Sequence, residues 1–269
     1  MANQSKMVFK VIIGVPCSAP FVYTEFMRQF MAQYAEVSME FMLYDNNSGN
    51  TTIGTAFNNH PNLPTNRNQL VYHAIKTGAT HILFLDSDIM MPEHGLRYML
   101  QKNLPIFGLL YFTRNKAAPK PIIYKDGKVV DPLPPKGLIQ VDATGTGCLL
   151  VDLEVFKILA GLDVFKEYGN RFFVYKEQWS GVEESLLGED MFFCKLARLA
   201  NIPIVVDVEN SCEHLTPYGV GAKDYWKAQG RVSEKVSLFN QKATVETASS
   251  TPPASTAQVP MVVATEQPK

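Results

Sequence analysis

Short apolar runs alternate with segments of helical periodicity along the first half of the chain. Four runs are almost continuous in apolar residues, namely 8–16, 38–46, 80–88 and 104–112. Between them, apolar residues recur every three or four positions, over 23–35, 66–79 and 91–103. The first pattern predicts strands that are buried on both faces, and the second predicts amphipathic helices. Together they predict an α/β fold with a mostly parallel central sheet flanked by helices.

The second half of the chain has a different pattern. Residues 111–137 are rich in lysine, arginine and proline, which predicts a loop or a hairpin. The next segment predicts a strand, a Gly-Thr-Gly turn, a second strand and a helix. A helix over 189–200 and a strand over 203–208 follow, and then a turn that carries His214.

The carboxyl-terminal stretch differs in composition from the rest of the chain. Residues 238–269 are rich in Ser, Thr, Ala and Pro and show no helical period. Such a segment cannot bury enough apolar surface to order itself, so we expect a disordered tail there. We expect one folded domain over 1–237, since no internal repeat is visible.

Bulk composition narrows the class of protein. The 269 residues are 46% hydrophobic and 19% charged, and the formal net charge is −1. This balance is typical of a soluble globular protein and gives no support to nucleic acid or an anionic membrane as partner. No apolar stretch is long enough for a membrane span, and the N-terminus lacks a signal-peptide pattern, so we expect a cytoplasmic protein. The four cysteines show no CxxC spacing, which predicts reduced, buried thiols.

Two carboxylates follow the apolar run that ends at Leu85. Asp86 and Asp88 are two residues apart, so at a strand end their side chains point to the same side and can share one ligand. Ligands of parallel sheets bind at the carboxyl ends of strands, and carboxylate oxygens suit Mg²⁺ or Mn²⁺. The alternative is that one carboxylate caps the next helix while the other is solvated.

Two acids open a later helix. Glu189 and Asp190 follow Gly188 at its predicted start. Acids in a first turn are stabilised by the helix dipole, which is their ordinary role. In a cleft, Asp190 can also serve as a general base.

A histidine and a glycine pair are further candidates. His214 follows a strand and can complete a metal shell begun by Asp88, or it can be an ordinary surface or packed residue. Gly145 and Gly147 permit a close backbone approach to a ligand, and a tight turn explains them equally well.

The order of these features resembles one family. Arg-Asn at a helix start, an apolar strand ending in Asp-x-Asp, Gly-x-Gly before a strand, Glu-Asp opening a helix and a later His occur in that order. This resembles the GT-A glycosyltransferases, especially the family-2-like inverting enzymes, over residues 8–216. The segments 63–89 and 188–214 carry most of the resemblance. It implies a Rossmann-like GT-A catalytic domain over 1–237, with a smaller mixed sheet on the acceptor side.

The resemblance implies roles for the acidic residues and the histidine. Asp88 would bind the divalent cation that bridges the donor diphosphate, and His214 would be a second ligand. Asp86 would lie near the ribose or the metal. Asp190 would be the base that deprotonates the acceptor hydroxyl, with Glu189 assisting acceptor binding.

The resemblance also implies a nucleotide site. Pro16, Ser18 and Asp45 would surround the nucleobase and ribose, and Arg67 would lie close to the nucleotide. The turn from Gly145 to Gly147 would line the donor sugar and the acceptor side. The basic stretch 114–136 would close over the diphosphate, meet an acidic acceptor, or simply be a solvated hairpin.

The implied activity is transfer of a sugar from a nucleotide-sugar donor, a UDP- or GDP-sugar, with Mn²⁺ or Mg²⁺ as cofactor. The acceptor is open: a sugar, a protein, a lipid, or a modified base in DNA, as for some glycosyltransferases encoded by bacteriophages. A nucleotidyltransferase is an alternative, although the residues after the first strand lack a Gly-rich basic loop. A non-catalytic module that binds nucleotide-sugars is the other.

Overall fold

The structure is a computed structural model that describes residues 9–17, 22–44, 52–175, 188–216 and 221–230. The strands are β1 (Lys10–Pro16), β2 (Thr52–Asn58), β3 (His81–Leu85), β4 (Ile89–Met90), β5 (Ile106–Leu109), β6 (Ile123–Lys125), β7 (Lys128–Val129), β8 (Leu138–Val141), β9 (Ala143–Thr144), β10 (Cys148–Asp152), β11 (Ile204–Asp207) and β12 (Glu213–His214). The helices are α1 (Thr24–Tyr44), α2 (Leu63–Lys76), α3 (Gly95–Lys102), α4 (Leu153–Ala160), α5 (Asp163–Glu167), α6 (Glu189–Leu199) and α7 (Ala222–Ala228).

Seven strands form the central sheet, in the order β2-β1-β3-β10-β5-β11-β8. Strands β2, β1, β3, β5 and β11 run in one direction, while β10 and β8 run in the other. The predicted mostly parallel sheet is therefore confirmed. Because β10 is reversed, its amino end lies at the edge where β3 and β5 end, with Cys148 opposite Leu85.

The sheet has a hydrophobic core on each face, as the nearly continuous apolar runs predict. In β3, Ile82 and Phe84 pack into the core that contains residues of α2, α4 and α6. The alternating residues Leu83 and Leu85 pack into the second core, with residues of α1 and α3. All five residues of β3 are buried. Side chains that alternate across a strand thus supply both layers.

One predicted strand is wrong. The run 38–46 was expected to be the second strand, but α1 continues without a break to Tyr44, and the second strand is β2. Short apolar runs do not distinguish a buried strand from a helix by periodicity. No glycine or proline interrupts the chain between Thr24 and Tyr44, and the residues there are mostly good helix formers, so the helix extends.

Smaller sheets flank the main one. The segment 111–137 contains the hairpin of β6 and β7, which turns at Asp126 and Gly127. Strand β9 joins this hairpin, and β4 pairs separately with β12. These smaller pairings are all antiparallel among the residues that the structure describes. The expected smaller sheet is thus present, formed by β6, β7 and β9.

The sequence also led to expectations about the cysteines and about membrane spans. All four cysteines are free and buried, as predicted. None of the described helices is both long and apolar enough to cross a membrane. The expected tail, 238–269, lies outside the described part of the chain.

Candidate functional site

Several loops meet at the edge of the central sheet where the parallel strands end. The turn after β3 carries Asp86 and Asp88, and the segment after β5 carries Tyr111 and Arg114. The chain after β11 leads to β12 and His214. The first turn of α6 and the turn before β10 also reach this edge, where they are hydrogen-bonded to each other and to the turn after β3. Residues from distant parts of the sequence are thus brought to one place.

Backbone pairing holds Asp88 and His214 side by side. Strand β4 begins directly after Asp88 and pairs with β12, so that Ile89 lies opposite His214. The Leu215 N–H donates to the carbonyl oxygen of Asp88 at 2.7 Å. As a result, Oδ2 of Asp88 lies 3.5 Å from Nε2 of His214.

The hydrogen bonds of His214 assign its tautomer. Its Nδ1 lies 2.7 Å from the carbonyl oxygen of Phe112, and a carbonyl oxygen can only accept, so Nδ1 carries a proton. The Nε–H of Arg114 donates to Nε2 at 3.1 Å. Nε2 is thus unprotonated and accepts from Arg114, with Oδ2 of Asp88 beside it, and an unprotonated imidazole nitrogen is also the form that binds a metal.

The guanidinium of Arg114 also donates to Oδ2 of Asp88. Burial would raise the pKa of Asp88, but the neighbouring His214 and Arg114 outweigh it and hold the pKa of this carboxyl below its ordinary value. Asp88 is therefore ionised at neutral pH. The positively charged guanidinium of Arg114 thus lies against both Asp88 and His214.

This pair of side chains fits a divalent cation that is shared with a ligand. An ionised carboxylate and a neutral imidazole nitrogen are suitable donors for Mn²⁺, and the carboxylate is suitable for Mg²⁺. Within the described ranges, no group of three or more His, Cys, Asp and Glu side chains could hold a metal by itself. A cation at Asp88 and His214 would thus keep positions open for oxygen atoms of a substrate.

Three carboxylates surround Arg67, which projects from α2 and is only 1% exposed. Its Nη1 donates to Oδ1 of Asp190 at 2.6 Å and also to Glu189. Its Nη2 donates to the two oxygens of Asp86 at 3.0 and 3.3 Å. Arg67 therefore ties the turn after β3 to the first turn of α6.

The charges of this cluster do not balance, because one guanidinium faces three carboxyl groups. Burial, together with the charge of Asp190, raises the pKa of Glu189 to about 7, although Arg67 opposes the shift. Burial likewise raises the pKa of Asp86 against the opposing effect of Arg67. For Arg67, burial would lower the pKa, but the three carboxylates outweigh it and raise it.

The turn before β10 provides further contacts to these acids. The hydroxyl of Thr146 donates to Oδ1 of Asp190 at 2.6 Å. The N–H of Asp86 donates to the carbonyl oxygen of Gly147 at 2.9 Å. Asp190 is thereby held by two donors on separate elements, which gives its carboxylate a defined orientation.

Gly145 and Gly147 are required by the close approach of Tyr111. A Cβ atom at Gly145 would lie 1.9 Å from the hydroxyl oxygen of Tyr111, and one at Gly147 would lie 2.8 Å from Cζ of the same ring. The N–H of Gly147 donates to that hydroxyl oxygen at 3.0 Å. The packed ring of Tyr111 therefore leaves no room for a Cβ atom at either position.

Tyr111 connects the two groups of polar residues. Its ring packs edge-on against His214, with 5.9 Å between the ring centroids. Burial raises the pKa of its hydroxyl well above the ordinary value, and the nearby charges of Asp190 and Asp86 raise it further. The Asp88–His214 pair and the Arg67 cluster therefore belong to one site.

Three further residues, Pro16, Ser18 and Asp45, were expected around the nucleobase and ribose. Pro16 is buried at the end of β1, opposite Asn58. Ser18 and Asp45 lie outside the described residues. Asp45 was expected to follow a strand, but it follows α1, so the reason for placing it at the nucleobase is wrong.

Three residues of the site were not singled out from the sequence: Tyr111, Thr146 and Arg114. Thr146 lies inside the Gly-Thr-Gly motif, so its position between two small residues was an available signal. Arg114 was only one of several cations in the basic stretch 114–136. Nothing in the sequence distinguishes Tyr111 from the other aromatic residues of the core.

No protein-family model matches the chain, and no curated protein matches it. Among solved structures, A197 from STIV aligns with a TM-score of 0.43 and 8% identity, over 78% of this chain and 86% of that one. The catalytic domain of Drosophila β1,4-galactosyltransferase 7, in complex with xylobiose, aligns with a TM-score of 0.41 and 16% identity. This alignment covers 78% of this chain and 71% of that one. Apo UDP-glucose pyrophosphorylase aligns with a TM-score of 0.41 and 8% identity, over 83% of this chain and 97% of that one. At these scores the alignments carry no weight for activity, and the fold described above rests on its own strand order.

Proposed function

We propose that this protein is a metal-dependent, inverting glycosyltransferase of the GT-A type, with residues 1–237 as its catalytic domain. It would move a sugar from a nucleoside-diphosphate donor to an acceptor hydroxyl. The observation that carries the proposal is the arrangement around Tyr111. A pair of side chains suited to a cation lies on one side of its ring, and an oriented carboxylate, Asp190, lies near its hydroxyl.

Asp88 and His214 would hold the cation, Mn²⁺ or Mg²⁺. Such an ion, when bound, neutralises the charge that develops on a departing nucleoside diphosphate. The neutral imidazole of His214 is fixed through its Nδ1–H, so its Nε2 needs no reorientation to act as a ligand. Asp86, two residues before Asp88, would lie near the cation or the ribose, with its carboxylate held by Arg67.

Asp190 would be the general base. An acceptor hydroxyl is a weak nucleophile until its proton is taken, and a positioned carboxylate can take it. The contacts of Asp190 with Arg67 and Thr146 both involve Oδ1, which leaves Oδ2 as the atom to receive the proton. Attack from the side opposite the leaving group would invert the anomeric centre. Glu189, beside it, would assist acceptor binding.

The donor would bind at the carboxyl edge of β1 and β3, where α/β sheets commonly bind nucleotides. Pro16 ends β1 at this edge, and Arg67 and the turn from Gly145 to Gly147 lie beside the carboxylates. A UDP- or GDP-sugar is the donor class that this chemistry implies. The acceptor would be a sugar, protein, lipid or modified DNA base that offers a hydroxyl.

The test is a panel of UDP- and GDP-sugars with Mn²⁺ or Mg²⁺, monitored by thermal shift and then by release of nucleoside diphosphate. We expect one donor to stabilise the protein only when the metal is present. Asp190→Asn should keep this stabilisation and lose turnover by at least about 100-fold, as loss of a general base does. Full turnover in that variant would refute the assignment of the base. Release of pyrophosphate would replace the proposal with a nucleotidyltransferase.

A further inference from the structure

We infer that Arg114 occupies the position of the divalent cation when no metal is bound, and that the incoming metal and nucleotide displace it onto the donor diphosphate. Arg114 would then couple metal binding to donor binding. The inference rests on the proposed function, because it uses the cation site at Asp88 and His214. It adds a residue and a binding order that the proposed function does not contain.

Arg114 contacts the same two atoms that would bind a cation. Its Nη2 donates to Oδ2 of Asp88 and its Nε–H donates to Nε2 of His214. A neutral imidazole nitrogen has one lone pair in the ring plane, so Nε2 cannot accept from Arg114 and bind a metal at once. The two arrangements therefore exclude each other.

Arg114 can move while its surroundings stay in place. Its side chain is 64% exposed, whereas the side chains of Asp88 and His214 are 16% and 9% exposed. The backbone on either side of Arg114 is held by the bond from the N–H of Thr113 to the carbonyl oxygen of Lys120. Displacement would thus require rotation of one exposed side chain and no change in the fold.

A displaced Arg114 guanidinium would need new hydrogen-bond acceptors. A bare cation at Asp88 and His214 would leave Arg114 next to a like charge and without its two acceptors. A nucleoside diphosphate supplies new acceptors, because the planar guanidinium matches two phosphate oxygens at once. Metal binding should therefore be weak alone and stronger with the nucleotide. By linkage, the nucleotide should bind more tightly when the metal is present.

The test measures Mn²⁺ affinity by the EPR signal of the free ion, with and without UDP or GDP, for the wild type and Arg114→Ala. If the guanidinium occupies the site for most of the time, its removal should raise the Mn²⁺ affinity without nucleotide by about five-fold. The same variant should bind the nucleoside diphosphate with Mn²⁺ about ten-fold more weakly, because a charged hydrogen-bond partner is lost. The matched control is Lys120→Ala, which removes one positive charge from the same loop and should leave both affinities within two-fold.

The outcomes separate this inference from the proposed function. If Asp88→Ala does not weaken Mn²⁺ binding, the cation site itself is wrong, and the proposed function loses its basis. If Asp88→Ala weakens binding while Arg114→Ala leaves the Mn²⁺ affinity unchanged or lower, only the displacement by the metal is refuted. A melting temperature for each variant confirms that the fold is retained, as the exposure of Arg114 leads us to expect.

Discussion

The unbalanced charge around Arg67 makes a quantitative prediction for the variant Glu189→Gln. Glutamine keeps the shape of the side chain and can accept from Arg67, but it carries no charge at any pH. The pKa of Glu189 is raised from 4.5 to about 7 in the folded protein. A raised pKa means that the protonated carboxyl stabilises the fold below pH 4.5 and that this contribution is lost as the pH rises through about 7.

The size of the effect follows from the two pKa values. The interval from 4.5 to about 7, at about 1.4 kcal/mol for each pH unit, corresponds to about 3 kcal/mol. The side chain of Glu189 is only 9% exposed, so solvent screening reduces this value little. Wild type should therefore lose up to about 3 kcal/mol relative to Glu189→Gln between pH 4.5 and pH 8.

Urea unfolding at several pH values measures this difference directly. Titrating groups outside the Arg67 cluster are present in both proteins, so their contributions cancel in the comparison. Glu154→Gln removes an exposed carboxylate in the first turn of α4 and serves as the control. Parallel pH profiles for wild type and Glu189→Gln would refute the reasoning, since they would mean that Glu189 gains no proton on folding.

Two further variants test the packing and the charge of the site. Gly145→Ala should destabilise the fold by about 1–3 kcal/mol, because its Cβ would overlap the hydroxyl of Tyr111. Thermal melting should show that adding Tyr111→Ala restores part of this loss. Additive effects of the two changes would contradict that contact. Arg67→Met should cost about 3–5 kcal/mol at pH 8, because three carboxylates lose their counter-charge, and less at pH 5, where Glu189 is protonated. An equal loss at both pH values in urea unfolding would contradict the electrostatic cause.

Periodicity was sufficient to predict the fold where strands are buried on both faces. The run ending at Leu85 is fully buried, and such runs have no other common explanation when helices separate them. The strand β2 was missed because it lies at the edge of the sheet and mixes exposed with half-buried positions. The misassigned run 38–46 shows the converse, since an apolar segment of that length fits a helix as well.

The candidate site was predictable in its acids and only partly in its geometry. Asp88 and His214 come together through β4 and β12, two-residue strands that are too short for any pattern to reveal. The residues alone offered this pairing as one of two readings of His214, and the family resemblance favoured it. Arg67 was expected near the nucleotide, but its burial among three carboxylates depends on contacts between distant segments. The reason for Gly145 could not be seen either, because the residue that needs the space is Tyr111.

The reversed direction of β10 has a practical consequence. Since the amino end of β10 is at the site, the strand ends at the opposite edge of the sheet, and helix α4 begins there. Lys157 on α4 is well exposed there, and all four native cysteines are buried. A thiol introduced by Lys157→Cys would therefore be a suitable attachment point for a fluorophore or a surface tether, on the opposite edge of the sheet from the candidate site.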